Sequence, residues 1–252
     1  VAALEDRVHS GIEGSESVGL ADLLCLATYR PLHQFLPASS LTALDTVPEV
    51  KQRIFTEPLI ERALTAEIHS LGVITDITSI RVRRQYENNP YPRWVRAQVH
   101  AEGVSADAVF KRTAHRFYPE CQLNLATPEI LIAGCGTGQH AIESAAAWRD
   151  SKLLAVDISL ASLSYAKRKT GELNLENIDF LHADILDLRS LNRLFDVVEC
   201  VGVLHHMWDP ETGLEVLTDL LKPGGMIKVG LYSEIARAQL TSSRQKASKL
   251  GA

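Results

Sequence analysis

The sequence predicts an α/β fold: a doubly wound, mostly parallel sheet with helices on both faces, preceded by a small helical domain. Three observations carry that expectation. From residue 129 onward, short apolar runs alternate with amphipathic stretches. A glycine turn, Gly134-Cys135-Gly136-Thr137-Gly138, ends the first of those runs. Residues 1–80 instead space their apolar side chains at helical intervals, with little glycine after Gly19.

Each element has its own justification. Glu129–Ala133 stops at the glycine turn, and Lys152–Val156 stops at Asp157. Ile178–Leu181, Phe195–Val201 and Met226–Leu231 are the remaining apolar runs, and Gln139–Trp148, Leu160–Leu173 and Glu211–Leu221 are the helical stretches among them. Strands covered on both faces read as nearly continuous apolar runs, and their alternation with helices gives parallel βαβ units. Toward the N-terminus, Leu20, Ala21, Leu23, Leu24, Leu26 and Ala27 form an apolar stretch that stops before Pro31. Leu59, Ile60, Leu64 and Ile68 recur at helical spacing behind Glu57-Pro58, where proline suits a first turn. The expected organisation is a helical region over 1–80, a linker or lid over 81–128 and the sheet domain over 129–252. The chain opens on Val1 rather than Met, so a fragment or a trimmed chain is expected.

Composition bounds the function. The chain has 252 residues, 46% hydrophobic and 23% charged, which excludes disordered, collagen-like and disulfide-scaffold classes. No apolar run approaches the ~20 residues of a bilayer span. With 26 basic and 31 acidic residues the net charge is −5, so the chain as a whole is no polyanion binder. Cys25, Cys121, Cys135 and Cys200 are never paired as C-x-x-C, and the opening VAALEDRVHS lacks a secretory pattern, so a cytoplasmic protein without a metal site is expected.

The glycine turn is the chemical centre of the sequence. Glycines let the backbone turn sharply and let a ligand lie on bare main chain beside the amides that open a helix. Asp157 ends the second strand, where a carboxylate accepts from both hydroxyls of a ribose. His182-Ala183-Asp184-Ile185 follows the third strand and adds a second acid on the same edge. Together they describe a nucleoside site; the plainer alternative makes Asp157 a helix cap and Asp184 a turn residue. A dinucleotide fingerprint needs glycine at 139, and Gln139 stands there, which disfavours a nicotinamide-dependent oxidoreductase.

The G-x-G-x-G pattern of Gly134, Gly136 and Gly138 resembles motif I of the class I S-adenosylmethionine-dependent methyltransferases, whose fold is Rossmann-like. Phe195–His206 resembles the family's fourth-strand segment, and Leu221-Lys222-Pro223-Gly224-Gly225 its turn into the fifth strand. The resemblance implies an S-adenosylmethionine site formed by Gly134, Cys135, Gly136, Gly138, Asp157, Ile158, Ala183, Asp184, Ile185, Cys200 and Val201. It places Asp157 on the ribose, Asp184 at the adenine amino group, and the main chain of Cys200 and Val201 beside the methionine part. It implies methyl transfer, with S-adenosylhomocysteine as product, to a protein, peptide or small-molecule acceptor that the sequence does not identify. The family usually carries an acid two residues before the first glycine, where this chain has Ile132. The family fold also ends with a strand 6–strand 7 hairpin, and only Ser233–Ala252 follow the fifth strand here, so the resemblance implies truncation after that strand. Ile132 and the missing hairpin motivate a rival reading, a catalytically inactive S-adenosylmethionine-binding interaction module.

Two further segments bear on the acceptor. Residues 81–96 hold five arginines and one glutamate, interleaved with Tyr86, Tyr91 and Trp94. Tyr86, Tyr91, Arg93 and Trp94 are substrate-side candidates by charge and stacking; the alternatives are a proline-stiffened linker packed on the sheet domain and, less favoured, a nucleic-acid contact. Gln85–Trp94 also resembles a segment of bacterial proteins that join tetratricopeptide repeats to a methyltransferase domain. His205-His206 follows the fourth strand; adjacent side chains diverge, so one metal is not readily held by both. A structural or positioning role is the favoured reading of the pair, and His205 is the candidate if one of them is a catalytic base.

Overall fold

The computed structural model describes residues 1–13, 18–34, 36–97, 99, 126–148 and 150–249, and they form two compact units, 1–66 and 67–252. Cys121 and most of the expected 81–128 linker lie outside the described residues.

The first unit is helical. Helices α1 (Ala2–Glu13) and α2 (Leu20–Ala27) are followed by 3-10 turns, α3 (Pro48–Lys51), a π turn over Gln52–Thr56 and α4 (Glu57–Leu64). Leu4, Val8, Leu23, Leu26, Leu32, Leu41, Leu44 and Phe55 bury one core of their own. Each such side chain contributes about 1.5–3 kcal/mol on leaving water, which short helices need because they are marginal alone.

The second unit starts earlier than expected. Strand β1 (His69–Ser70) and helix α5 (Ile77–Asn88) both lie before residue 89 yet belong to the sheet unit. β1 pairs in parallel with β4 (Ile178–His182), and Ser70 Oγ lies 2.9 Å from His182 Nδ1. The boundary therefore falls at residue 66, not 80. Asp76 opens α5 by accepting from Ser79 N at 2.7 Å.

The remaining elements run in the expected order: β2 (Glu129–Ala133), α6 (Gln139–Ala147), β3 (Lys152–Asp157), α7 (Leu160–Glu172), β4, β5 (Phe195–Val201), α8 (Pro210–Asp219), β6 (Leu221–Gly230) and α9 (Glu234–Lys249). The six strands form one parallel sheet, ordered β1-β4-β3-β2-β5-β6. Alternate side chains serve opposite faces. Ile130, Ile132, Leu153, Ala155 and Val197 pack with Ala141, Ala145 and Leu163 of α6 and α7. Leu131, Ala133, Leu154, Val156, Val198 and Cys200 pack on the other face with Val216 and Leu217 of α8. β6 begins at Leu221 rather than Met226: the register jumps from Phe195↔Leu221 to Val197↔Met226, so the expected glycine turn bulges out of a longer strand. The chain winds from β2 to β4 on one side and resumes at β5 on the other, so the carboxyl ends of β2 and β5 flank the point where the winding reverses. Open α/β sheets bind ligands in that crevice.

Candidate functional site

The crevice is a cavity of about 500 Å³. Its floor is the glycine turn between β2 and α6. Gly134 has a φ of +75°, and a Cβ there would collide with the Val203 side chain. Gly138 has a φ of +81°, and its Cβ would collide with Ala166 of α7. Both positions need glycine for conformation and for space.

Asp157, at the end of β3, accepts from Gly136 N at 2.7 Å and Ser159 N at 2.9 Å. Burial pushes its carboxyl above the usual range; the Ser159, Gly136 and Ile158 amides oppose that rise, and the nearby Glu87 charge adds to it. Glu87 reaches from α5 to the opening of α7, accepting from Ser159 Oγ at 3.0 Å. Asp184, at the end of β4, accepts from Leu186 N at 3.1 Å. The capping alternative thus describes real bonds, yet both acids also line the cavity. A carboxylate oxygen has more than one lone-pair direction, so an amide bond does not exhaust it.

Of the residues expected at the donor, Gly134, Cys135, Gly136, Asp157, Ile158, Ala183, Asp184, Ile185 and Val201 line this one cavity. Two do not. Gly138 packs under the turn against Ala166, and Cys200 is wholly buried in the core on the α8 face. Burial raises the Cys200 thiol to about 12, although the Leu204 backbone opposes the shift. Ile132, which replaces the acid that the resemblance implies, is buried and stands opposite Glu199 of β5 in the ladder.

The substrate-side candidates divide. Tyr86 and Tyr91 line the cavity. Burial, then the Tyr232 and Asp157 charges, raises the Tyr86 phenol, so it acts as a neutral hydroxyl. Trp94 is only 8% exposed: its indole N donates to Thr137 O at 3.0 Å and its ring meets Tyr165 edge-on at 5.9 Å. Tyr165 Oη donates to the Trp94 carbonyl, Thr137 Oγ1 donates to Pro92 O at 2.5 Å, and the Arg93 guanidinium lies 4.6 Å from the Tyr165 ring centre. Trp94 and Arg93 thus clamp the glycine turn from behind instead of lining the cavity; the packed-linker alternative holds for them.

His205 lies beside the cavity, where the structural alternative would put it. His206 lines the cavity and His205 does not. The His205 ring stacks at 4.0 Å on Tyr232 and 4.2 Å on His206, and both its nitrogens are covered without a hydrogen-bond partner among the described residues. Burial, then the His206 and Arg237 charges, lowers its pKa. It is a neutral packing group beside the site.

Residues that the sequence reading missed complete the walls. Ser79 and Val82 of α5 line the cavity with Tyr86, and their spacing of three and four residues is one helical face that the sequence did display. His140, Glu143, Val203, Met207 and Tyr232 also line it, and only the tertiary structure brings them there.

A parallel sheet with a glycine turn and two strand-end acids around one cavity is the arrangement that the resemblance to class I methyltransferases implies. Residues 130–225 match the family model described as "Methyltransferase domain". An uncharacterized protein from Synechococcus sp. is 36% identical over 122 residues, which is 48% of this chain and 29% of that protein. The ubiquinone biosynthesis O-methyltransferase of Coxiella burnetii is 31% identical over 110 residues, 44% of this chain and 46% of that enzyme. The chain thus spans about half or less of these relatives' lengths. Among solved structures, PKMT2 from Rickettsia typhi in complex with AdoHcy is similar at 31% identity and a TM-score of 0.39, covering 45% of this chain and 25% of that one.

Proposed function

We propose that the chain is an S-adenosylmethionine-dependent methyltransferase that holds its donor in the cavity at the carboxyl edge of the sheet. The observation that carries this reading is the convergence of Asp157, Asp184 and the glycine turn on one cavity of about 500 Å³. The match of residues 130–225 to a methyltransferase domain supports it.

The residues present fit the donor. Gly134 and Gly136 supply bare main chain, two acids suit an adenosine's donors, and apolar Val82, Ile185, Val203 and Met207 face the same space. When bound, S-adenosylmethionine supplies a methyl group already activated by its sulfonium. The chain's residues then have positioning tasks. Asp157 accepts from the ribose hydroxyls, Asp184 from the adenine amino group, and Ile185 packs on the adenine. The main chain of Val201 borders the methionine end. Tyr86 and Tyr91 orient the acceptor, and the apolar walls exclude water.

The acceptor is a protein, a peptide or a small molecule. The likeness of Gln85–Trp94 to segments of repeat-fused methyltransferases favours a protein or peptide; the quinone-pathway relative favours a small molecule. The three described cysteines are unbridged, which suits a reducing cytoplasm.

The test is transfer from methyl-labelled S-adenosylmethionine into cell extract, separated into macromolecular and small-molecule fractions. Label is expected in one fraction, and about a tenth or less of it with Asp157→Asn. Donor binding without transfer into either fraction would favour the inactive module, the reading that Ile132 motivates. Absence of both would overturn the proposal.

A further inference from the structure

Helix α5 stands between the cavity and solvent and carries a different chemistry on each side. Ser79, Val82 and Tyr86 share one helical face and line the cavity. Ile77, Ile80, Arg81 and Arg84 share the opposite face, and all four are exposed. Ile77 is 68% exposed and Ile80 38%. A helix face that meets only water usually carries polar side chains, so two isoleucines one turn apart on it are apolar surface without a cover.

The charge on this face is unmatched. Neither Arg81 nor Arg84 has a hydrogen bond or an ion pair among the described residues. Glu87, the one acid within α5, reaches instead to α7, where it accepts from Ser159 Oγ at 3.0 Å. Residues 81–96 hold five arginines and one glutamate in a chain whose net charge is −5. The face is therefore locally positive on a molecule that is negative as a whole.

That pairing of charge and apolar surface selects a partner. A nucleic acid needs several neutralising contacts along its backbone and gains nothing from isoleucine, and the negative remainder of the chain repels it. The four side chains span about 10 Å of helix, the reach of a short peptide segment. Carboxylates of such a segment would pair with the arginines, while its apolar side chains would cover Ile77 and Ile80.

We infer that the outer face of α5 docks an acidic segment, bearing apolar side chains, of the protein that accepts the methyl group. Bound there, the acceptor lies about one helix diameter, ~10 Å, from the cavity, a span that three or four residues of extended chain cross. Docking of this kind raises the effective concentration of the acceptor group at the cavity. This inference rests on the proposed function, because it takes the docked protein to be the methyl acceptor.

Two measurements on the whole chain separate the docking face from the donor site. The first is fluorescence anisotropy of a labelled random copolymer of glutamate and tyrosine, which offers carboxylates among apolar rings. A lysine–tyrosine copolymer and oligothymidine are the controls. The acidic copolymer is expected to bind at least about 10-fold tighter than either control. Arg81→Glu combined with Arg84→Glu is expected to weaken it about 10-fold or more, and Ile77→Ser combined with Ile80→Ser about 3-fold or more. Calorimetric affinity for S-adenosylhomocysteine should stay unchanged in both variants, which reports that they fold. The second measurement is label transfer from methyl-labelled S-adenosylmethionine into the protein fraction of dilute cell extract. The arginine variant is expected to label about a tenth as much protein, and the acidic copolymer to suppress labelling by wild type.

No copolymer binding, or binding that survives the arginine reversal, would overturn the inference. Oligothymidine bound as tightly as the copolymer, label confined to small molecules, or a dimer of this chain that the arginine variant dissociates would overturn it as well. A chain that binds the copolymer through these side chains but does not bind S-adenosylhomocysteine would overturn the proposed function, and with it the docked protein's role as acceptor.

Discussion

Asp157 holds the glycine turn through Gly136 N and lines the cavity that the turn floors, so its charge state matters to any ligand there. Its carboxyl is raised, chiefly by burial, so protonation begins at higher pH than the about 3.9 of a free aspartate. A ribose needs the ionised form. Affinity for S-adenosylhomocysteine is therefore expected to begin falling on acidification at higher pH than a free aspartate would dictate, and a calorimetric pH series in which Asp157→Asn loses this acid limb checks it. Glu199 has the opposite sign: burial opposes its ionisation, but the His140 hydrogen bond and charge, followed by Lys228, outweigh it. Its folded value is lowered, so its stabilisation is present above the unfolded value of about 4.3 and is lost as pH falls through the folded value. Urea midpoints of wild type and Glu199→Gln should differ at neutral pH and converge in acid. A gap that persists below pH ~3 would contradict this account.

Elements differed in how far the sequence disclosed them. The strands β2 to β5 were legible because burial on both faces leaves long apolar runs, and the glycine turn because left-handed backbone demands a visible residue type. β1 was not: two residues carry no period, and its place depends on pairing with β4. The clamp was misread for a related reason. Trp94 looks like a stacking surface until its indole N is seen to donate to Thr137, far along the chain. Likewise nothing local joins His140 to Glu199, which meet only when α6 packs on the sheet. Two substitutions test these contacts. Gly138→Ala forces a Cβ into Ala166 at a positive φ and should cost about 2–4 kcal/mol in urea unfolding. Trp94→Phe keeps a ring but strands the Thr137 carbonyl, which should cost about 1–2 kcal/mol. A neutral result at either position would show that the turn does not depend on that contact.

At the scale of the molecule, the two units have separate cores, and every cavity-lining residue lies between Ser79 and Tyr232. No helix among the described residues is long and apolar enough to cross a membrane. A fragment starting at residue 67 is therefore expected to bind S-adenosylhomocysteine within about twofold of the whole chain, as independent sites do. The central claim concerns where an adenosine sits, and a crystal structure of the chain soaked with S-adenosylhomocysteine tests it most directly. The account predicts ribose hydroxyls on Asp157 and the adenine amino group at Asp184. A nucleoside bound elsewhere, or one turned so that neither carboxylate touches it, would contradict it.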